Sequence, residues 1–142
     1  MYFYKSLKHK EHTSMKISLV GDAILKSATK AVSASEIDSI MSIIPEMERI
    51  MLAAGGIGLA ANQVGISKSF FIMGAPIKVY INPVIVDSSS KEVLLDEGCL
   101  SVPGFYETVE RNKYIEAKGI DINGQEMWIK TDGLLAICMQ HE

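Results

Sequence analysis

The stretch 131-TDGLLAICMQHE-142 decides the fold that this sequence predicts. Thr131-Asp132-Gly133 offers an N-cap for a helix that begins at Leu134. Apolar residues occupy nearly every side of this helix, so we expect it to lie buried in the middle of the protein. It ends in His141-Glu142, the first half of an H-E-x-x-H pattern, in which two histidines bind one metal ion and the glutamate is a general base. Two residues of that pattern are too few to establish a metal site by themselves.

The residues before this helix predict a second helix and several short strands. Ser33-Ala34-Ser35-Glu36 fits a capping box, and apolar residues then recur at three- and four-residue spacing from Ile37 to Met51. Pro45 should kink this helix or begin a new first turn. Compact apolar or alternating runs predict strands at 70–73, 79–81, 84–86, 114–122 and 125–130. Asn123-Gly124 predicts a hairpin turn between the last two. We therefore expect an α+β fold, with antiparallel or mixed β-sheets wrapped around the central buried helix that carries His-Glu.

The composition excludes several classes of protein. The 142 residues suffice for one domain, 48% are hydrophobic and 22% are charged, which is an ordinary balance for a globular protein. The formal net charge of −3 gives no reason to expect direct binding to nucleic acid or to an acidic membrane surface. No apolar stretch approaches the roughly 20 residues that cross a bilayer, and no signal or transit peptide is recognisable. The sequence predicts a cytoplasmic protein.

Residues 1–14 differ from the rest of the chain. They are mostly polar, and they contain His9 and His12. The sequence predicts a flexible, solvated N-terminal extension at 1–14, with both histidines in the tail, and one folded domain at 15–142. The two cysteines, Cys99 and Cys138, are too few for a disulfide scaffold, so each is a free thiol that could be a ligand, a nucleophile or a packing residue.

Two further segments are candidates for a functional site. Residues 56–63, GIGLAANQ, have small side chains that let the backbone approach a neighbour or a ligand closely, although a tight connection between helix and strand would look the same. No lysine follows the glycines, which argues against a phosphate loop. In residues 97–101, EGCLS, a cysteine stands beside glycine and is flanked two positions away by polar residues, so we expect it to be accessible enough to bind a metal ion.

Taken together, GIGLAANQ, EGCLS and the final HE resemble, in order and spacing, the three signature motifs of the peptide deformylase family. The likeness extends from Met15 onward, and includes Gly21-Asp22 and Ile81-Asn82-Pro83. Asn62 replaces the proline or threonine that is common in the family, and Lys26 replaces the usual arginine. Glu142 is the last residue, so we expect the domain to be incomplete at its C-terminus, inside the third motif.

The resemblance implies a role for each matching position. Cys99 and His141 would bind one divalent metal ion, with a histidine three positions beyond Glu142 as the third protein ligand. Ferrous iron is the metal that the family implies, and zinc, nickel or cobalt would also suit these donors. Glu142 would move the proton, while the Gln63 side chain and the Leu100 amide would stabilise the oxyanion. The residues expected to bind substrate are Ile57, Gly58, Leu95, Leu134, Ile137 and Cys138. Cys138 could replace the missing ligand, but its apolar neighbours favour a place in the pocket wall.

The function implied by the resemblance is metal-dependent hydrolysis of the N-formyl group from the formyl-methionine of nascent polypeptides. The partners would be these nascent peptides and, while they are being synthesised, the ribosome. A different interpretation is that the chain is an inactive, deformylase-like protein that uses the same groove as a peptide- or ribosome-binding module. The chain as printed, with two of three ligands, could itself be inactive.

Overall fold

The computed structural model describes residues 15–142. The expected extension at 1–14, with His9 and His12, lies outside the described residues. Two α-helices are present in the described part of the chain, α1 at Ile37–Ala53 and α2 at Gly133–His141. The strands there are β1 (Gly58–Ala60), β2 (Phe70–Met73), β3 (Lys78–Ser88), β4 (Lys91–Cys99), β5 (Val102–Asn112), β6 (Tyr114–Ile120) and β7 (Glu126–Asp132). Short 3-10 turns lie at Ala23–Lys26, Ala34–Glu36 and Ala61–Val64.

The strands form two antiparallel sheets. The larger has the order β1-β2-β3-β6-β7, so the three-residue strand β1 is at one edge. The smaller consists of β4 and β5, a long hairpin in which Glu97 faces Glu107 and Gly98 faces Tyr106. The antiparallel sheets and few helices confirm the expected α+β class. No helix within residues 15–142 has the length and apolar character needed to span a membrane.

The larger sheet separates two apolar clusters, and its alternating side chains supply both. In β2, Phe70 and Ile72 belong to the cluster that contains the buried face of α1. Phe71 and Met73, the residues between, belong to the cluster that contains Ala136, Cys138 and Met139 of α2. Helix α2 is therefore packed against the sheet on the side opposite α1. Its residues 136–139 are all buried, as the apolar sequence predicts, but Leu134 and Leu135 in its first turn are exposed, so the helix is not buried along its whole length.

Several local predictions can be compared with the structure. The Ser33 amide donates to Glu36 Oε2 at 2.9 Å, as a capping box requires, but residues 34–36 form a 3-10 turn and α1 begins only at Ile37. Pro45 lies inside α1, which continues through it as one element without a new start. Asp132 occupies the N-cap position of α2, although its side chain makes no capping hydrogen bond.

The predicted strands at 79–81 and 84–86 are parts of a single strand, β3. Its register shifts between Ile81 and Val84, and Asn82 there has a positive φ of 49°. The Asn82 side chain is held by the Val32 backbone, accepting from its amide at 2.7 Å and donating to its carbonyl at 2.9 Å. Pro83, which lacks an amide hydrogen, sits in this irregular stretch, where it removes no regular ladder bond.

Candidate active site

One cavity of about 600 Å³ is lined by every residue that the sequence predicted for the site. It lies between the α1–β1 connection, the β4–β5 hairpin and the end of α2. The eleven nominated residues that line it are Ile57, Gly58, Gln63, Leu95, Cys99, Leu100, Leu134, Ile137, Cys138, His141 and Glu142. Three segments far apart in sequence thus meet around one space, although their individual roles do not follow from this placement.

In the first wall of the cavity, Gln63 bonds to both the glycine-rich segment and the residues around Cys99. This side chain is buried, and its Oε1 accepts from the Ala60 amide at 2.9 Å, which closes the 3-10 turn that follows β1. Its Nε2 donates to Ser101 Oγ at 3.1 Å and contacts Cys99 Sγ at 3.7 Å. Gln63 therefore connects the glycine-rich segment to the hairpin that carries Cys99, and its amide group lies next to the thiol.

The second wall is the last turn of α2, where the His141 ring contacts the carboxylate of Glu97 through Nδ1. His141 Nδ1 lies 2.8 Å from Glu97 Oε2, on β4. Arg111, on β5, donates to both oxygens of the same carboxylate, at 2.8 and 2.7 Å. The Glu97 side chain is only 7% exposed, and the Arg111 guanidinium, followed by His141, lowers the pKa of Glu97 to about 2.

This arrangement selects one form of the imidazole. An ionised carboxylate can only accept hydrogen bonds, so the contact with Glu97 places a hydrogen on Nδ1 of His141. In the neutral imidazole, Nε2 is then the ring nitrogen with a free lone pair. A carboxylate that supports a histidine in this way is the usual outer partner of a metal-binding imidazole. The contact between His141 and Glu97 therefore fits a role for His141 as a metal ligand.

Glu142 is packed tightly against Gly58. A Cβ atom added at Gly58 would lie 2.5 Å from Glu142 Oε1 and 3.0 Å from its Cδ, so any larger residue would displace the carboxyl group. Burial raises the pKa of Glu142 to about 7, against the opposing effects of His141 and the Ala60 backbone. A carboxyl group with this pKa exchanges protons readily near neutral pH.

Cys138 belongs to the apolar wall of the cavity. It is buried within the α2 cluster, and burial, with smaller contributions from Glu142 and Glu97, raises the pKa of its thiol to about 11. Its apolar surroundings favour a place in the cavity wall over a role as a metal ligand. Within residues 15–142, no group of three or more His, Cys, Asp or Glu side chains is arranged to hold a metal ion.

Sequence reasoning missed four residues that shape the site. Glu97 and Ser101 lie inside the EGCLS segment, but only the cysteine and leucine of that segment were given roles. Arg111 and Gln140 were given none. A charged pair that is nearly buried has no local sequence signal, because its partners meet only when β4 and β5 pair. The one available hint was the position of Glu97 two residues before Cys99.

A family model described as polypeptide deformylase matches residues 14–142. A peptide deformylase of Polynucleobacter necessarius is 42% identical to this chain, over 85% of its length and 73% of the relative's. The chain belongs to the peptide deformylase family. Peptide deformylase 2 of Prochlorococcus marinus is 37% identical, over 93% of this chain and 69% of that protein. A crystal structure of the Synechococcus elongatus peptide deformylase in complex with actinonin superposes with a TM-score of 0.84 at 40% identity, covering 90% of this chain and 73% of that one.

Membership of the peptide deformylase family confirms the resemblance seen in the three motifs and makes the chain a hydrolase by family. The likeness in structure confirms the α+β architecture. It covers nine-tenths of the chain, and so extends well beyond the three motifs. The roles of Cys99, His141, Glu142, Gln63 and the cavity wall stay predictions about this chain.

Proposed function

We propose that this peptide deformylase hydrolyses the N-formyl group from formyl-methionine at the start of nascent polypeptides. The observation that carries the proposal is the meeting of a thiol, an imidazole and a carboxyl group with a pKa near 7 in one apolar cavity. The reaction adds the oxygen of water to the formyl carbon and breaks the carbon–nitrogen bond. Formate and a peptide with a free amino group leave.

Cys99 and His141 are the residues that would hold the metal ion. They line the same cavity, and the Glu97 contact leaves Nε2 of His141 available as a donor. A divalent metal ion bound there would lower the pKa of a bound water molecule and polarise the formyl carbonyl group. We propose Fe(II), while a thiolate and an imidazole also suit zinc, nickel and cobalt.

Glu142 is the residue that would move the proton. It would accept a proton from the attacking water and pass it to the nitrogen of the leaving amine. The raised pKa supports this role, since a group that both accepts and releases a proton works best when its pKa is close to the working pH. Contact with Gly58 restricts where its carboxyl group can lie.

Gln63 and Leu100 would stabilise the negative charge that develops on the formyl oxygen. The Gln63 amide group already lies beside Cys99, so one of its N–H groups is near the place where the reaction would occur. The backbone amide of Leu100 would be the second donor. Two fixed donors of this kind stabilise a transition state because they need no reorganisation during the reaction.

The peptide would bind along the edge of the larger sheet. β1 is an edge strand, so in the described residues its outer side is not occupied by another strand, and the Gly58 backbone could pair with an extended substrate. The first side chain of the substrate would enter the apolar part of the cavity, formed by Ile57, Leu95, Leu134, Ile137 and Cys138. An unbranched methionine side chain suits such a wall.

Nascent peptides are made in the cytoplasm, so we propose that the chain works there and meets its substrates close to the ribosome. The net charge of −3 gives it no general affinity for nucleic acid. No observation favours the inactive binding module over the enzyme.

The test is hydrolysis of formyl-Met-Ala-Ser by the metal-loaded protein, measured as new amino groups and as formate in equal amounts. Acetyl-Met-Ala-Ser is the matched control, because its extra methyl group crowds the carbon that is attacked. Formyl-Asp-Ala-Ser tests the apolar pocket and should react far more slowly. Tight binding of formyl-Met-Ala-Ser without formate release, by protein that holds metal, would favour the binding module.

A further inference from the structure

Gln140, the residue before His141, connects the last turn of α2 to the end of β5. Its Oε1 accepts from the Asn112 backbone amide at 2.9 Å, and its Nε2 donates to the Asn112 backbone carbonyl at 2.8 Å. The second hydrogen of Nε2 goes to the Ala136 carbonyl, one turn earlier in α2, at 3.0 Å. The side-chain amide thus pairs with both backbone groups of Asn112, as a neighbouring strand would, and all its bonds are to backbone.

These bonds complete a closed circuit around the candidate ligand. Asn112 follows Arg111, which binds Glu97 through both carboxylate oxygens. Glu97 in turn contacts His141 Nδ1, and His141 follows Gln140. Helix α2 is therefore attached to the β4–β5 hairpin at two successive residues, once through the backbone of β5 and once through a side chain of β4.

The two candidate ligands come from the two units that this circuit joins. Cys99 is the last residue of β4, and His141 is the last residue of α2. The hairpin is a separate two-stranded sheet that shares no ladder with the larger one in the described residues, so strand pairing does not fix its position relative to α2. Hydrogen bonds between the hairpin and α2 contribute to this position, and Gln140 makes two of them.

We propose that Gln140 is a positioning residue of the metal site. It fixes the separation of Cys99 and His141, and it keeps Glu97 close enough to hold His141 with its hydrogen on Nδ1. This inference relies on the proposed function only for the statement that Cys99 and His141 bind a metal ion.

Three variants test the proposal. Gln140→Leu removes all three bonds at similar size, and Gln140→Glu keeps the acceptor for the Asn112 amide while removing the donor. Gln125→Leu, in an exposed turn far from the circuit, is the matched control. The ¹⁵N shifts of the His141 ring in metal-free protein, assigned with a His141→Ala spectrum, give the populations of its two neutral forms. Titration with Co²⁺, followed by the thiolate-to-cobalt absorption, gives the metal affinity.

We expect wild type and Gln125→Leu to have the hydrogen mainly on Nδ1. Gln140→Leu should show a mixture of both forms and a dissociation constant for Co²⁺ raised roughly tenfold, the scale of losing a supporting contact of a metal ligand. Gln140→Glu should change both measurements in the same direction, because its carboxylate oxygen would face the Asn112 and Ala136 carbonyls without a hydrogen to donate. If Gln140→Leu does not fold, the comparison of Gln140→Glu with wild type decides by the same two measurements.

The proposal is overturned if the Gln140 variants lose stability to urea but keep the wild-type ring form and Co²⁺ affinity, because Gln140 would then only stabilise the fold. Failure of the proposed function looks different. It would be an absence of formate release by the wild-type protein, and it would leave the ring form and the Co²⁺ affinities as predicted here.

Discussion

Replacing Glu97 by glutamine should destabilise the metal-free protein. The Arg111 guanidinium and His141 lower the pKa of this carboxyl group from 4.5 to about 2. The side chain is only 7% exposed, so solvent screens the interaction weakly. A difference of this size between folded and unfolded protein corresponds to about 3 kcal/mol of the free energy of unfolding at neutral pH. The neutral amide would also leave the Arg111 charge without a carboxylate, so we expect a loss of about this magnitude.

The contribution of the Glu97 carboxylate to the free energy of unfolding should depend on pH. Because the pKa of Glu97 is lower in the folded protein, its contribution is complete above pH 4.5 and is lost as the pH falls toward 2. Urea unfolding in the presence of a chelator should therefore show a gap of about 3 kcal/mol between wild type and Glu97→Gln near pH 7, and less than half of that near pH 3. Glu107→Gln, opposite on β5 and exposed, should stay within about 0.5 kcal/mol of wild type. An equal free energy of unfolding for wild type and Glu97→Gln near pH 7 would show that the Glu97 carboxylate does not stabilise the fold.

Three other predictions concern the cavity. Cys99→Ala should lose tight metal binding in equilibrium dialysis, while Cys138→Ala should retain it; equal metal content in both would exclude Cys99 as a ligand. Gly58→Ala should lower turnover at least tenfold with little change in metal content, because the added methyl group displaces the Glu142 carboxyl, and undiminished kcat would contradict that contact. Cys138, with a thiol pKa of about 11, has a thiolate fraction of only about 10⁻³ near pH 8. Its alkylation by iodoacetamide in Cys99→Ala should be far slower in folded protein than in urea, and equal rates would contradict its burial.

The features that could be predicted from the sequence are those with a local signal. The helix at 133–141, the strand at 70–73 and the hairpin around Asn123-Gly124 each follow from periodicity or from a turn pair. The turn itself differs from the two-residue type I′ turn that Asn-Gly favours, because residues 121–125 connect β6 to β7 and Asn123 does not have a positive φ. The three motifs are similarly local, and the family resemblance put their residues in one site before any distance was known. The structure brings all of them to the same cavity.

The features that could not be predicted depend on pairing between distant segments. Residues 91–112 carry no clean alternation, because most of the β4–β5 hairpin is exposed on both faces, so neither strand was assigned. The contact between Glu97 and His141 spans 44 positions and exists only after that hairpin has formed. The sequence also failed to predict that β3 is one continuous strand, because Pro83 favours the end of a strand. The irregular stretch is held by hydrogen bonds between the Asn82 side chain and the Val32 backbone, 50 positions away, which have no local sequence signal.

The effect of Glu142→Gln on turnover is the decisive measurement for this site. The claim is that this carboxyl group moves the proton while Cys99 and His141 hold the metal ion. Formate release from formyl-Met-Ala-Ser and metal content should be measured on the same samples of wild type, Glu142→Gln and the exposed control Glu110→Gln. We expect wild-type metal content in all three, with turnover reduced roughly 10²-fold or more only in Glu142→Gln. Wild-type turnover in Glu142→Gln would show that Glu142 does not move the proton, and loss of its metal together with its activity would make Glu142 a ligand or a structural residue.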